Sequence, residues 1–120
     1  MPWGYMLSLD CAGCEPSSIR SSSTIEKFVK ELVKKIEMTA YGEPQIVHFG
    51  SGNKAGFTLV QLIETSNIVA HYCEEDNAMF IDVFSCKPFL PSKVFKVVNK
   101  YFSPKQIIDH YIERSIPSAL

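Results

Sequence analysis

A chain of 120 residues suits a single compact domain, here taken as residues 1–120, with length enough to bury a real core. A hydrophobic fraction of 46%, a charged fraction of 21% and a net charge of −1 are those of an ordinary globular protein, so no basic excess argues for nucleic acid and no charge block for a tail. The apolar runs are far shorter than a membrane span, and the start, MPWGYMLSLD, lacks the basic opening and long apolar core of an export signal. Four cysteines therefore read as reduced thiols in a cytoplasmic setting.

Tyr5 to Asp10 alternates and predicts a first strand. The following Cys11-Ala12-Gly13-Cys14 has CxxC spacing. A redox pair would want a helix starting directly after the first cysteine, and a zinc site would want a second ligand pair at similar spacing. Cys73 and Cys86 stand isolated, so small residues closing a strand are the better account, and no metal site is expected. Ser21 to Thr24 introduces a helix in which Ser23 and Glu26 have capping-box spacing. Ile25, Phe28, Val29, Leu32, Val33 and Ile36 mark its apolar face, and a solvated lysine-rich face lies opposite. Gly42 and Pro44 are expected to end it. Gln45 to Phe49 predicts a short strand, and Gly50 to Gly56 a glycine-rich loop that fits neither a P-loop nor a dinucleotide fingerprint.

The most informative stretch runs from Gly56 to Cys86. It sets a hydroxyl (Ser66), a histidine (His71) and a thiol (Cys86) among three strand-like runs: Phe57–Ile63, Ile68–Cys73 and Met79–Cys86. A hairpin centred on Glu75 and Asp76 pairs Met79 with Tyr72, and its ladder would carry Cys86 to Thr65, beside Ser66. His71 is harder to place. Five residues of strand span about 16 Å, so His71 reaches Ser66 within one chain only if residues 64–68 loop back. Beyond Cys86, Pro91 suits the first turn of a second helix, with Val94, Phe95, Val98, Tyr101 and Phe102 as its apolar side and Pro104 as its stop. Gln106 to Ile112 fits a strand or a short helix. Helices amid hairpin-connected strands predict an α+β fold, a two-layer sandwich of an antiparallel sheet with two helices on one face. The other face of such a sheet is left free for a partner or substrate.

At Ser66, His71 and Cys86 the chain resembles the pyruvoyl-dependent S-adenosylmethionine decarboxylases of the small prokaryotic type. Glu64-Thr65-Ser66-Asn67-Ile68 is similar to the ESHI cleavage segment of that family. His71 and Glu75 fall on the His and Glu of its HTWPE, and Ile81-Asp82-Val83-Phe84-Ser85-Cys86 on its VDVFTC. Leu9-Asp10 and Gly13-Cys14 resemble its LDLYGC, which accounts for the CxxC without a metal. The likeness spans residues 4–113.

The resemblance implies a proenzyme that cuts itself between Thr65 and Ser66, leaving a pyruvoyl group made from Ser66 and needing no external cofactor. Ser66 would attack the Thr65 carbonyl, His71 would assist elimination, and Thr58 falls where the family carries a processing serine. The mature enzyme would take an amino-acid substrate as a Schiff base, with Cys86 as proton donor and Glu75 at the substrate. The product would be the aminopropyl donor for spermidine, and the family implies a homodimer with composite sites, with no nucleic-acid or membrane partner. Three departures bear on recognition. Thr65 replaces the family's Glu before the cleaved serine, Asn67 replaces its His after it, and Cys73 replaces the Trp of HTWPE. Tyr72 and Phe49 are the aromatic residues that would take over stacking on a nucleoside. Two alternatives follow: the same chemistry on ornithine or arginine, or a relative that folds, never cleaves and only binds.

Overall fold

Period-two alternation puts one set of strand side chains beneath two helices and leaves the other set uncovered. In the computed structural model, which describes residues 1–118, the strands are β1 (Gly4–Ala12), β2 (Gln45–Phe49), β3 (Gly56–Ile63), β4 (Ser66–Cys73), β5 (Ala78–Ser85) and β6 (Gln106–Arg114). They form one antiparallel sheet in the order β2-β3-β4-β5-β1-β6. Helices α2 (Ser22–Lys35) and α3 (Pro91–Phe102) pack against one face, preceded by the short α1 (Pro16–Ile19). The expected two-layer α+β sandwich is present.

Leu7, Leu9 and Cys11 of β1, Leu59 and Ile63 of β3, Ile68, Ala70 and Tyr72 of β4, and Met79, Ile81 and Val83 of β5 are buried in phase. They meet Ile25, Phe28, Val29 and Leu32 of α2 and Val94, Val98 and Phe102 of α3 in one core. Burial of each valine, leucine, isoleucine, methionine or phenylalanine side chain among them contributes roughly 1.5–3 kcal/mol. The ring of Phe102 anchors the contact between layers, 4.9 Å from Phe28 and 5.3 Å from Tyr72.

Several boundaries differ from the sequence reading. The cap of α2 is Ser21, whose Oγ accepts from Thr24 N–H at 3.2 Å, so Ser23 lies inside the first turn and makes no capping box with Glu26. The helix stops well before Gly42. Glu37 adopts a left-handed conformation (φ 60°), its N–H donates to Lys34 O at 3.0 Å, and Met38 N–H donates to Val33 O at 2.9 Å. Those two bonds are a Schellman motif built without glycine. The polar patch at 64–67 is no wide loop either: Ile63 pairs with Ser66, so only Glu64 and Thr65 form the turn and Ser66 and Asn67 join the ladder. Gln106 onward is a strand, pairing along the whole of β1.

On the uncovered face Val47, Phe49, Leu62, Phe80, Ile108 and Ile112 are exposed. One sheet face is thus packed and the other is an open surface with a large apolar component.

Candidate active site

The predicted hairpin register holds. Tyr72 pairs with Met79 and Ser66 with Ser85 across β4 and β5, and Cys86 N–H donates to Thr65 O at 3.0 Å. The turn responsible is Glu74–Asn77, in which Asn77 takes the left-handed conformation (φ 49°). Turn chemistry at one end of the sheet therefore gathers Thr65, Ser66 and Cys86 at the other. Ser66 is half-buried and Cys86 exposed. The Thr65 carbonyl, flanking the bond expected to break, already faces a fixed backbone donor.

Thr65 is held through its side chain as well. Ser85 Oγ donates to Thr65 Oγ1 at 2.8 Å, and Thr65 Oγ1 donates to Met38 Sδ at 3.3 Å. Ser85 was not singled out in the sequence reading, although a signal existed: it is a hydroxyl in phase with Met79, Ile81 and Val83, the buried side of β5. Met38 carried no such signal. Only the helix end at Glu37 brings it beneath the turn.

Thr58 and His71 lie elsewhere. They pair across β3 and β4, with Thr58 Oγ1 and His71 Nδ1 3.2 Å apart. Phe49, at the end of β2, pairs with Gly56, two residues before Thr58, and stands exposed. Glu75 is exposed in the β4–β5 turn, beyond the same end of β4. Residues 66–71 run as regular strand, so His71 is displaced from Ser66 by about 16 Å and lies in the opposite side-chain phase. The loop-back that would join them within one chain does not occur, because Ser66, Asn67 and Ile68 are already paired with both neighbouring strands. Within one protomer the residues form two groups, Thr65–Ser66–Cys86 at one end of β4 and Thr58–His71–Phe49–Glu75 at the other.

Tyr72 joins neither group. Its ring is 2% exposed, packed under the helices against Phe102, on the opposite side of the sheet from His71. Burial, and then the neighbouring thiols of Cys14 and Cys11, hold its hydroxyl well above the usual tyrosine range. Stacking on a ligand at the open face is closed to it; of the two aromatic candidates, Phe49 is the accessible one. Burial, with Cys14 and Asp10 nearby, pushes the Cys11 thiol up to about 12, and burial pushes Cys14 up to about 11. Both stay protonated at neutral pH, which is unlike a reactive CxxC. Among the described residues no group of three or more His, Cys, Asp or Glu is arranged for a metal, and no helix is long and apolar enough to cross a membrane.

Comparison with known proteins bears on this geometry. Residues 5–115 match the family described as S-adenosylmethionine decarboxylase. The S-adenosylmethionine decarboxylase proenzyme of Clostridium botulinum strain Hall is 25% identical over 113 residues, covering 94% of this chain and 84% of that protein. That of strain Loch Maree is 26% identical over 90 residues, 75% of this chain and 74% of the other. The crystal structure of the adenosylmethionine decarboxylase from Aquifex aeolicus VF5 superimposes with a TM-score of 0.80 at 24% identity, covering 98% of this chain and 94% of that one. At that identity the structural likeness concerns the fold.

Proposed function

The chain belongs to the S-adenosylmethionine decarboxylase family, and we propose that it is a proenzyme that cleaves itself between Thr65 and Ser66 and then decarboxylates S-adenosylmethionine, supplying the aminopropyl donor for spermidine synthesis. The observation that carries this reading is the hydrogen bond from Cys86 N–H to Thr65 O, 3.0 Å long, at the bond to be broken.

A planar peptide resists attack, and a preorganised donor on its oxygen is what lowers that barrier. Ser66 Oγ adds to the Thr65 carbonyl carbon, and the negative charge that develops on oxygen falls on Cys86 N–H. Collapse breaks the C–N bond, the serine proton passes to the freed nitrogen, and an ester links Thr65 to Ser66 Oγ. Removal of the Ser66 Cα proton then expels the Thr65 carboxylate and leaves dehydroalanine. Its enamine tautomerises, and addition of water releases ammonia and leaves a pyruvoyl group at position 66. His71, its Nδ1 fixed by Thr58, is the base for the elimination.

The pyruvoyl carbonyl supplies an electrophile for the substrate amine and a sink for the electrons left by carbon dioxide. Cys86, exposed beside residue 66, delivers the proton to the carbon that lost the carboxylate. Phe49 offers the stacking surface for the nucleoside, and Glu75 a carboxylate for the cationic substrate.

Separation of the residues into two groups favours a homodimer in which His71, Thr58, Phe49 and Glu75 of one copy complete the Thr65–Ser66–Cys86 end of the other. The exposed apolar residues of the open sheet face are the surface such a pairing would bury, and two-fold closure is its commonest form.

Intact mass is the direct test of processing. The expected result is two fragments, the second blocked to N-terminal sequencing, with Ser66→Ala uncut; a stable full-length chain overturns it. Carbon dioxide release should occur with S-adenosylmethionine. Release from ornithine or arginine alone would move the substrate to a smaller amino acid, a change motivated by Cys73 where the family has Trp.

A further inference from the structure

Ser85 is fully buried, in the phase of β5 where the other side chains are Met79, Ile81 and Val83. A hydroxyl there is costly unless bonded, and an alanine or valine would serve the core better. Its bonds explain its presence. Two acceptors lie within reach of its single proton, Thr65 Oγ1 at 2.8 Å and Met38 Sδ at 3.7 Å, and the shorter contact, to oxygen, takes it. Its oxygen accepts from Lys87 N–H at 3.0 Å. The same hydroxyl thus grips residue 65 across the ladder and closes the chain around Cys86, the residue whose N–H meets the Thr65 carbonyl. Thr65 in turn donates to Met38 Sδ, so its side chain is held from two sides.

We propose that Ser85 is a positioning residue for self-cleavage: through Thr65 Oγ1 and Lys87 N–H it locks the Thr65 carbonyl onto Cys86 N–H, in place for Ser66. This rests on the self-processing reading above. The lock requires a hydroxyl at residue 65, which is the role of threonine where the family has glutamate. Its chemistry is confined to the first step, ester formation, because that is the step in which the Thr65 carbonyl is attacked.

The experiment follows precursor conversion by intact mass, from refolded or freshly synthesised chain, for wild type, Ser85→Ala, Ser85→Thr, Thr65→Val, the double variant Ser85→Ala/Thr65→Val and, as the elimination control, His71→Ala. Each is run with and without hydroxylamine, which cleaves an accumulated ester. Melting temperatures are recorded alongside. Ser85→Ala is expected to slow conversion about ten- to a hundredfold, the scale of a misplaced reacting group, and hydroxylamine should not restore it because no ester builds up. His71→Ala, blocked at elimination, should by contrast be cut by hydroxylamine. Ser85→Thr should convert at nearly the wild-type rate. Thr65→Val should be slowed like Ser85→Ala, with the double variant no slower than either.

Conversion of Ser85→Ala at the wild-type rate overturns the proposal. So does a slow variant that hydroxylamine rescues, or additive effects in the double variant. Should Ser85→Ala fail to fold, Thr65→Val tests the same contact from the half-buried side, and its conversion at the wild-type rate is equally decisive. A wild-type chain that stays intact instead refutes the self-processing reading, and the positioning role falls with it; a wild type that cleaves as fast as Ser85→Ala refutes the positioning role alone.

Discussion

The proposed function gives Cys86 two roles, and they separate cleanly by atom. Its N–H, bonded to Thr65 O, belongs to the backbone and survives substitution; its thiol does not. Cys86→Ala should therefore still be cut, while carbon dioxide release should fall by roughly 10²–10⁴-fold, as for loss of a general acid. Intact mass and decarboxylation assay on one preparation check both halves, and unchanged turnover would remove the thiol from the mechanism. Alkylation at neutral pH supplies a second readout, since Cys11 and Cys14 are buried with thiols pushed up to about 12 and about 11. Label should enter at exposed Cys86 first and half-buried Cys73 second. At this scale the sequence was readable wherever motif and register agreed, as for Ser66 and Cys86. It was unreadable for Tyr72, because β4 carries apolar residues on both faces, Ile68 and Ala70 on one and Val69 and Cys73 on the other, so alternation does not tell which face the tyrosine takes.

At the level of elements, hairpin geometry was the legible part. Glu74 to Asn77 is a polar break between two β-rich runs, and it sets a register that carries through to Ser66 and Ser85. Two features escaped. The polar patch at 64–67 looked like a loop, but pairing on both sides of β4 draws Ser66 and Asn67 into the sheet, an override of local composition by the ladder. The end of α2 escaped because Gly42 and Pro44 are stronger stop signals than Glu37, which nonetheless takes the left-handed position. That position favours glycine, so Glu37→Gly should stabilise the fold by about 0.5–1 kcal/mol after the entropy of a freer unfolded chain is set against the relieved strain. The lost contact with Lys93, 3.7 Å away and exposed, contributes little. A rise of a few °C in melting temperature is expected. A fall would show that the glutamate side chain, rather than backbone geometry, holds Met38 in place under Thr65.

For the whole molecule, the decisive fact is that no single copy brings His71 to Ser66. They sit on one strand, about 16 Å apart and in opposite phases, with Thr58 3.2 Å from His71. If the site is composite, the defect of each variant can be supplied by the other's intact half. Ser66→Ala retains His71 and Thr58 but has no nucleophile; His71→Ala retains Ser66 but lacks the base. Expressed separately, the Ser66→Ala chain stays whole and the His71→Ala chain is cut far more slowly than wild type. Expressed together, with one chain carrying a mass tag, the His71→Ala chain should be cleaved at a rate near wild type, and only that chain. Cleavage should scale with the fraction of mixed dimer, as the proposed action of the partner's His71 across the open sheet face requires. A charge placed in that face, as in Val47→Glu, should abolish the rescue by preventing pairing. Purified mixed dimers in which His71→Ala stays uncut would confine the site to one protomer. So would a monomer by sedimentation at micromolar concentration that still processes itself, and the strand would then have to bend for the histidine to reach the serine.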